Sequence, residues 1–284
     1  MANPNIIFIM ADDMGWGDLS CYGAKKIATP NMDRIAAEGI RFRDAHSPSA
    51  VCTPSRYGVV TGRYCWRTWL KRSVLGGFGS PLIEPDRPTV GSFLKQHGYT
   101  TASVGKWHLG LTWTKKDGSI LQEQHSIQEG ERDDGFDVDY TAPVKNGPTA
   151  LGFDYSFNIS GSLDMSPYCF IENDRCVEPP DRPKEDLAAQ QRPGMVSPGW
   201  RRCAIRGKGC CVYRPLRRLT ESVFPVLDSI GATSSESSAG FRCGQDEGGS
   251  TRRHGMDGGL DGWAGARCAG PSRSCREHAH HGDE

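Results

Sequence analysis

The 284-residue sequence has no surplus of either charge. Its 34 Lys and Arg residues stand against 34 Asp and Glu. That balance leaves no long-range field to draw the chain to nucleic acid or to an anionic membrane surface. It also lacks any apolar run near the roughly 18 to 20 residues that span a bilayer. The pattern of a secretory leader is wanting too: residues 6–10 are apolar, but no basic stretch precedes them and Asp12 and Asp13 cut the run short. The expectation is a cytoplasmic chain as given, or a periplasmic or extracellular one if a leader is missing from it. Cysteine is not scarce. There are eleven, an odd number, with Cys21, Cys52, Cys65, Cys169 and Cys176 scattered before residue 200 and six more after it. The length allows one large α/β domain or two small ones.

Residues 5–11 (NIIFIMA) form a nearly continuous apolar run with β-branched members, the pattern of a strand buried on both faces. Asp12 and Asp13 then fall at its carboxyl end, where open α/β sheets place their ligands. Thr29 and Pro30 read as the cap and first position of a helix that Gly39 stops. Residues 40–45 read as a second strand. A loop rich in Ser and Pro follows, then a short helix with Thr53 as cap, Pro54 at its first position and Gly62 past its end. A third helix is expected over residues 89–97, with Val90, Phe93 and Leu94 turned inward, and a strand over residues 99–104. Strands and helices in this order predict a layered α/β domain with a mixed or parallel sheet. Residues 111–200 are less regular, and residues 178–198 make a polar, Pro-rich connection.

Beyond about residue 200 the composition changes. Arginine replaces lysine almost entirely, with Lys208 the exception, and Gly and Cys rise together. Val, Ile, Leu, Met and Phe fall to about one residue in seven, too few to build a core. Residues 1–200 therefore read as a partial catalytic domain. Residues 201–284 read as a disordered or non-native tail, of the kind an out-of-frame translation of GC-rich DNA produces.

Three groups of residues carry chemistry. Cys52 stands at a helix start with Arg56 one turn on, a setting that lowers a thiol's pKa and favours a nucleophile or redox thiol. A single cysteine is otherwise most often a small buried hydrophobe. Adjacent carboxylates at Asp12 and Asp13 repel each other unless a cation sits between them, and hard oxygens suit Ca²⁺ or Mg²⁺ better than a thiophilic metal. Alone, such a pair is more often a cap or a solvated turn. Lys106 and His108, two apart, point to the same side of an extended segment, where a cation and an imidazole can converge on an anion.

The run Cys52-Thr53-Pro54-Ser55-Arg56 resembles the signature of the sulfatase family, whose cysteine a dedicated enzyme oxidises to formylglycine. Residues 3–17 (NPNIIFIMADDMGWG) are similar to that family's opening strand with its acidic metal ligands. Residues 29–38 (TPNMDRIAAE) and 105–110 (GKWHLG) resemble further blocks. The resemblance covers roughly residues 3–200 and implies an alkaline phosphatase-like α/β fold, a mixed sheet flanked by helices. It implies a sulfuric ester hydrolase with Ca²⁺, less readily Mg²⁺, held by Asp12, Asp13 and the residue made from Cys52. In that chemistry a hydrated aldehyde at position 52 attacks sulfur through one hydroxyl, and the other expels sulfate as the aldehyde reforms. Arg56 supports the diol and the metal site, Lys106 contacts sulfate, and His108 contacts the second hydroxyl. The implied partners are a small-molecule or carbohydrate sulfate ester and a formylglycine-generating enzyme, with no nucleic acid and no membrane.

Later parts of the family's pattern are not found after Trp200: an acidic and amide pair, a further His and a further Lys. Asp12 and Asp13 alone under-fill a Ca²⁺ ion, which takes about six to eight oxygens. The expectation is therefore a sulfatase with weak or absent activity. The alternatives are a non-catalytic fragment, and a phosphoesterase of the same superfamily, against which Cys52 speaks. A metal-binding tail through Cys268, Cys275, His278 and His280 lacks the paired spacing of structural zinc sites.

Overall fold

A computed structural model describes residues 4–131, 133–183 and 194–198. Three helices stand in the first hundred residues: α1 (Pro30–Glu38), α2 (Cys52–Thr61) and α3 (Val90–Gln96). The strands are β1 (Ala102–Lys106), β2 (Tyr155–Ile159), β3 (Ile171–Glu172), β4 (Arg175–Cys176), β5 (Arg182–Pro183) and β6 (Met195–Val196). The first four form one sheet in chain order. β1 and β2 run parallel, with Ala102 opposite Tyr155 and Lys106 opposite Ile159. β3 and β4 return antiparallel. The sheet is mixed and helix-flanked, the alkaline phosphatase-like class expected.

α1 keeps its expected bounds, with Pro30 at the start and Gly39 after the end. α2 begins two residues earlier than the expectation, which placed Thr53 in the cap and Pro54 first. Val51 is extended and takes the cap, so Cys52 is the first helical residue. Pro54 then falls third, where its missing N–H costs nothing because the first turn has no intrahelical acceptors. Gly58 lets the preceding loop close on the helix: a Cβ there would lie 2.6 Å from Pro48 Cβ and Cγ. α3 opens on a reciprocal cap, Thr89 Oγ1 accepting from Ser92 N at 3.0 Å and Ser92 Oγ from Thr89 N at 2.9 Å.

Three other expectations are corrected. Residues 5–11 form no strand, and Ile6, Ile7, Phe8 and Ile9 are exposed. Residues 40–45 form none either, with Ile40 and Phe42 exposed. Apolar patterning reports a demand for burial, but a strand also needs a neighbour for its backbone groups, and among the described residues neither segment joins a ladder. On α3, Val90 and Phe93 turn outward, and buried Gly91 makes the close contact instead, against the Phe153 ring. The division at residue 200 and the tail 201–284 lie outside the described residues.

The core lies between α2 and the segments that cross over from β1 to β2. Tyr57, Leu70, Leu75, Phe78, Leu82, Leu109, Leu111 and Trp113 are buried in one cluster. Trp113 meets Phe78 and Tyr140 edge-on, with centroids 5.5 and 5.9 Å apart. Each such side chain contributes about 1.5–3 kcal/mol on burial. That anchorage is what holds the α2 start against the end of β1.

Candidate active site

Parallel pairing decides where the chemistry gathers. With β1 and β2 in register, their carboxyl ends stand side by side, the edge at which α/β sheets bind ligands. Lys106 is the last residue of β1, and three residues past the end of β2 comes Ser162. The pairing runs on beyond the strands: Trp107 N–H donates to Ile159 O and His108 N–H to Ser160 O, both at 3.0 Å.

Lys106 Nζ is the hub. It donates to Asp12 Oδ2 at 2.6 Å, to Ser162 Oγ at 3.1 Å and to Cys52 Sγ at 3.2 Å, so its three protons are all engaged. Arg56 binds the other face of the same carboxylate, Nη2 to Asp12 Oδ1 at 3.2 Å, while its Nη1 donates to Lys106 O at 2.5 Å. Asp12 and Lys106 side chains are each 5% exposed and Arg56 11%. Burial alone would push the Asp12 carboxyl up. The Lys106 hydrogen bond and charge, with Arg56 behind them, more than reverse this and hold it below the ordinary value.

Cys52 departs from expectation. Its thiol is pushed up, not down: burial is the largest cause and Asp12 adds to it, outweighing Lys106. The helix start and Arg56 do not leave a reactive thiolate, because Arg56 is spent on Asp12. As an unmodified thiol this residue is a poor nucleophile at neutral pH.

The expectation that Lys106 and His108 share one side of a strand ends at residue 106, where β1 stops. His108 lies beyond it with φ 56°, so the two-residue alternation no longer applies. It is fully buried, and its Nε2–H donates to Leu75 O at 2.9 Å. Nδ1 is buried with no partner among the described residues. Burial, then the charge of Lys106, lowers its pKa to about 3, so the ring is neutral with Nδ1 as a bare acceptor. Leu75 N–H donates in turn to Thr53 Oγ1 at 3.2 Å. The backbone of one residue thus ties the α2 start to the imidazole.

Asp13 joins the group with its backbone in the left-handed region at φ 55°. Ligand atoms of Asp12, Asp13 and Cys52 all lie within 4.8 Å of one another. Two oxygens each about 2.3–2.6 Å from a shared Ca²⁺ are at most about 5 Å apart, so the donor set fits one hard cation. It supplies only part of a shell.

The residues brought together are thus Asp12, Asp13, Cys52, Arg56 and Lys106, with His108 behind them. Ser162 and Leu75 were not anticipated. Ser162 becomes visible only through the β1–β2 register, and Leu75 acts through its backbone, which leaves no mark in a sequence. The Cys and His residues of the tail lie outside the described residues.

A protein-family model described as Sulfatase matches residues 4–177. The chain is 40% identical over 174 residues to an N-acetylgalactosamine-6-O-sulfatase of Bacteroides thetaiotaomicron, covering 61% of this chain and 30% of that one. It is 44% identical over 120 residues to human steryl-sulfatase, covering 40% of this chain and 21% of that one. A solved structure from work on the metabolism of multiple glycosaminoglycans by Bacteroides thetaiotaomicron superposes with TM-score 0.51 at 36% identity, over 66% of this chain and 35% of the other. The chain spans about a third or less of the length of these relatives. Among the described residues no helix is long and apolar enough to cross a membrane.

Proposed function

Because this chain belongs to the sulfatase family, we propose that it is built to hydrolyse sulfate monoesters, with residue 52 as the reacting position. The observation that carries this reading is the meeting at Lys106 Nζ of Asp12, Cys52 and Ser162, from segments far apart in sequence. Asp12, Asp13 and the residue made from Cys52 are the ligands we assign to a divalent cation, Ca²⁺ before Mg²⁺. When bound and matured, the cation supplies charge neutralisation and the aldehyde derived from Cys52 supplies a hydrated carbonyl as nucleophile.

The chain's own residues do the remainder. Lys106, 5% exposed and 3.2 Å from Cys52 Sγ, holds a positive charge at residue 52, where it stabilises the negative charge of sulfate oxygens. Arg56 supports the site through Asp12, which it fixes from the side away from Lys106. Neutral His108, its Nε2–H committed to Leu75, keeps Nδ1 to accept a hydrogen bond in the same charged neighbourhood. Maturation of Cys52 calls for a formylglycine-generating enzyme. A sulfated carbohydrate is the substrate class favoured by the sugar sulfatase among the relatives, with small aryl sulfates as the second class. Three candidate ligands against the six to eight oxygens that Ca²⁺ takes support low turnover by this chain alone.

The test is to produce the full chain together with a formylglycine-generating enzyme and to weigh the peptide carrying residue 52. Conversion of thiol to aldehyde lowers its mass by about 18 Da. Sulfate release from N-acetylgalactosamine 6-sulfate and from an aryl sulfate is then compared with a Cys52→Ser control. An unconverted peptide, or faster release of phosphate than of sulfate from matched monoesters, would reject the proposal.

A further inference from the structure

We propose that Cys169 and Cys176 are a disulfide-forming pair, a covalent modification site separate from residue 52. Their sulfurs lie 3.8 Å apart, and the residues are 0% and 9% exposed. Burial of a thiol as a small hydrophobe is ordinary. Two thiols facing each other across a hairpin are not.

The hairpin explains the approach. Cys176 ends β4 opposite Ile171, and Cys169 stands two residues before Ile171, hence on the same face of that strand. The pairing continues past the strands, with Val177 N–H donating to Phe170 O at 2.9 Å. The turn is held by Asn173 at φ 55°, whose N–H donates to Ser156 O on β2 at 2.8 Å. The two backbones are therefore neighbours already. Cys169 and Cys176 are diagonal neighbours on that face. Shortening the 3.8 Å gap to the roughly 2.05 Å of an S–S bond asks for side-chain rotation together with an approach of the two short strands. Among the described cysteines, the thiols of Cys52 and Cys65 find other partners: Cys52 Sγ accepts from Lys106, and Cys65 Sγ donates to Leu70 O.

The oxidant is a small disulfide such as glutathione disulfide, or a protein disulfide of the same class. One thiol loses its proton and attacks a sulfur of the oxidant, releasing one thiolate and leaving a mixed disulfide. The second thiol loses its proton and attacks the sulfur bound to the protein, releasing the other thiolate. Two electrons pass from the cysteines to the oxidant, and the two protons end on the two thiols released. With both sulfurs buried, exchange begins when the two-residue strands β3 and β4 part, or before they first close. The bond then prevents the hairpin from parting again. It fixes one end of residues 160–169, the connection that presents Ser162 to Lys106. Such a pair stays reduced in a glutathione-buffered cytosol and closes in an oxidising compartment.

Arg175 puts a trypsin cleavage point between the two cysteines, so a disulfide would hold two peptides together. The full chain is incubated with excess glutathione disulfide, quenched in acid, alkylated in denaturant and digested. The expected product is a linked pair of peptides carrying Cys169 and Cys176, about 2 Da lighter than the sum of its reduced halves and separated by dithiothreitol. A second measurement, thermal unfolding of oxidised and reduced chains, is expected to give the higher midpoint for the oxidised form, a difference that Cys169→Ser abolishes. Alkyl label on both cysteines after oxidation overturns the proposal, as does either one joined to a different cysteine.

Discussion

Replacing Lys106 by methionine keeps most of the side chain's length and removes its charge. The Asp12 carboxylate, 5% exposed, then loses its closest cation, at 2.6 Å, and keeps Arg56 at 3.2 Å. Breaking a buried pair by removing one partner costs about 3–5 kcal/mol because the other charge stays buried. Arg56 offsets part of this, so we expect a loss of about 2–3 kcal/mol at pH 7. The pH dependence follows from the causes acting on Asp12. In the wild type its folded-state pKa is below the ordinary value, so its contribution is present above that ordinary value and lost as pH falls through the folded one. Without Lys106, burial is opposed by Arg56 alone and the folded-state pKa rises. The cost of Lys106→Met is then largest at neutral pH and shrinks in acid, as the carboxyl takes up a proton. Urea unfolding followed by tryptophan fluorescence, with EDTA present, reads both effects. Asp12→Asn in the Lys106→Met background should recover only part of the loss, since it removes the buried carboxylate but leaves the Arg56 guanidinium, 11% exposed, without its anionic partner. Equal stability of Lys106→Met and wild type at pH 7, or strict additivity of the two substitutions, would refute the reasoning.

Further expectations concern single positions. His108 has a folded-state pKa of about 3, below that of an unfolded histidine, so stability should fall as pH drops from about 6.5, by up to about 1.4 kcal/mol per unit. His108→Gln should flatten that slope, as read from unfolding midpoints at pH 5 and 7. Gly110 has φ +83°, and a Cβ there would lie 2.1 Å from Ser80 O, so Gly110→Ala should cost about 3 kcal/mol in urea unfolding. Cys52→Ser should change stability by less than about 1 kcal/mol and abolish any sulfate release, as judged by ion chromatography. Tyr57→Phe, which removes a 3.2 Å hydrogen bond from the buried ring to Glu84, should cost about 1 kcal/mol by the same unfolding assay.

Much of the site could be read from residue order, because motif spacing carries it. Asp12, Asp13, Cys52, Arg56 and Lys106 stand in motifs that residue order alone displays, and the fold brings them together. Helix ends were legible where Pro and Gly mark them, as at Pro30, Gly39 and Gly62. Strands were not. The apolar runs at residues 5–11 and 40–45 promised two, and neither joins a ladder, since hydrophobic patterning says nothing about which backbone will supply the hydrogen bonds. Ser162 escaped notice because its place depends on the register of β1 with β2, some fifty residues apart in the chain. The Cys52 thiol misled for another reason. A local reading credits Arg56 to the nearest cysteine, whereas in space that guanidinium belongs to Asp12.

The backbone of Leu75, holding Thr53 by its N–H and His108 by its carbonyl, makes spacing matter more than identity along the stretch leading to it. A different apolar side chain at position 75 leaves both bonds intact. Adding or deleting one residue between Gly62 and Leu75 slides a new amide and carbonyl into their place, out of phase with both partners. Libraries built across this stretch should therefore tolerate many exchanges and almost no change of length.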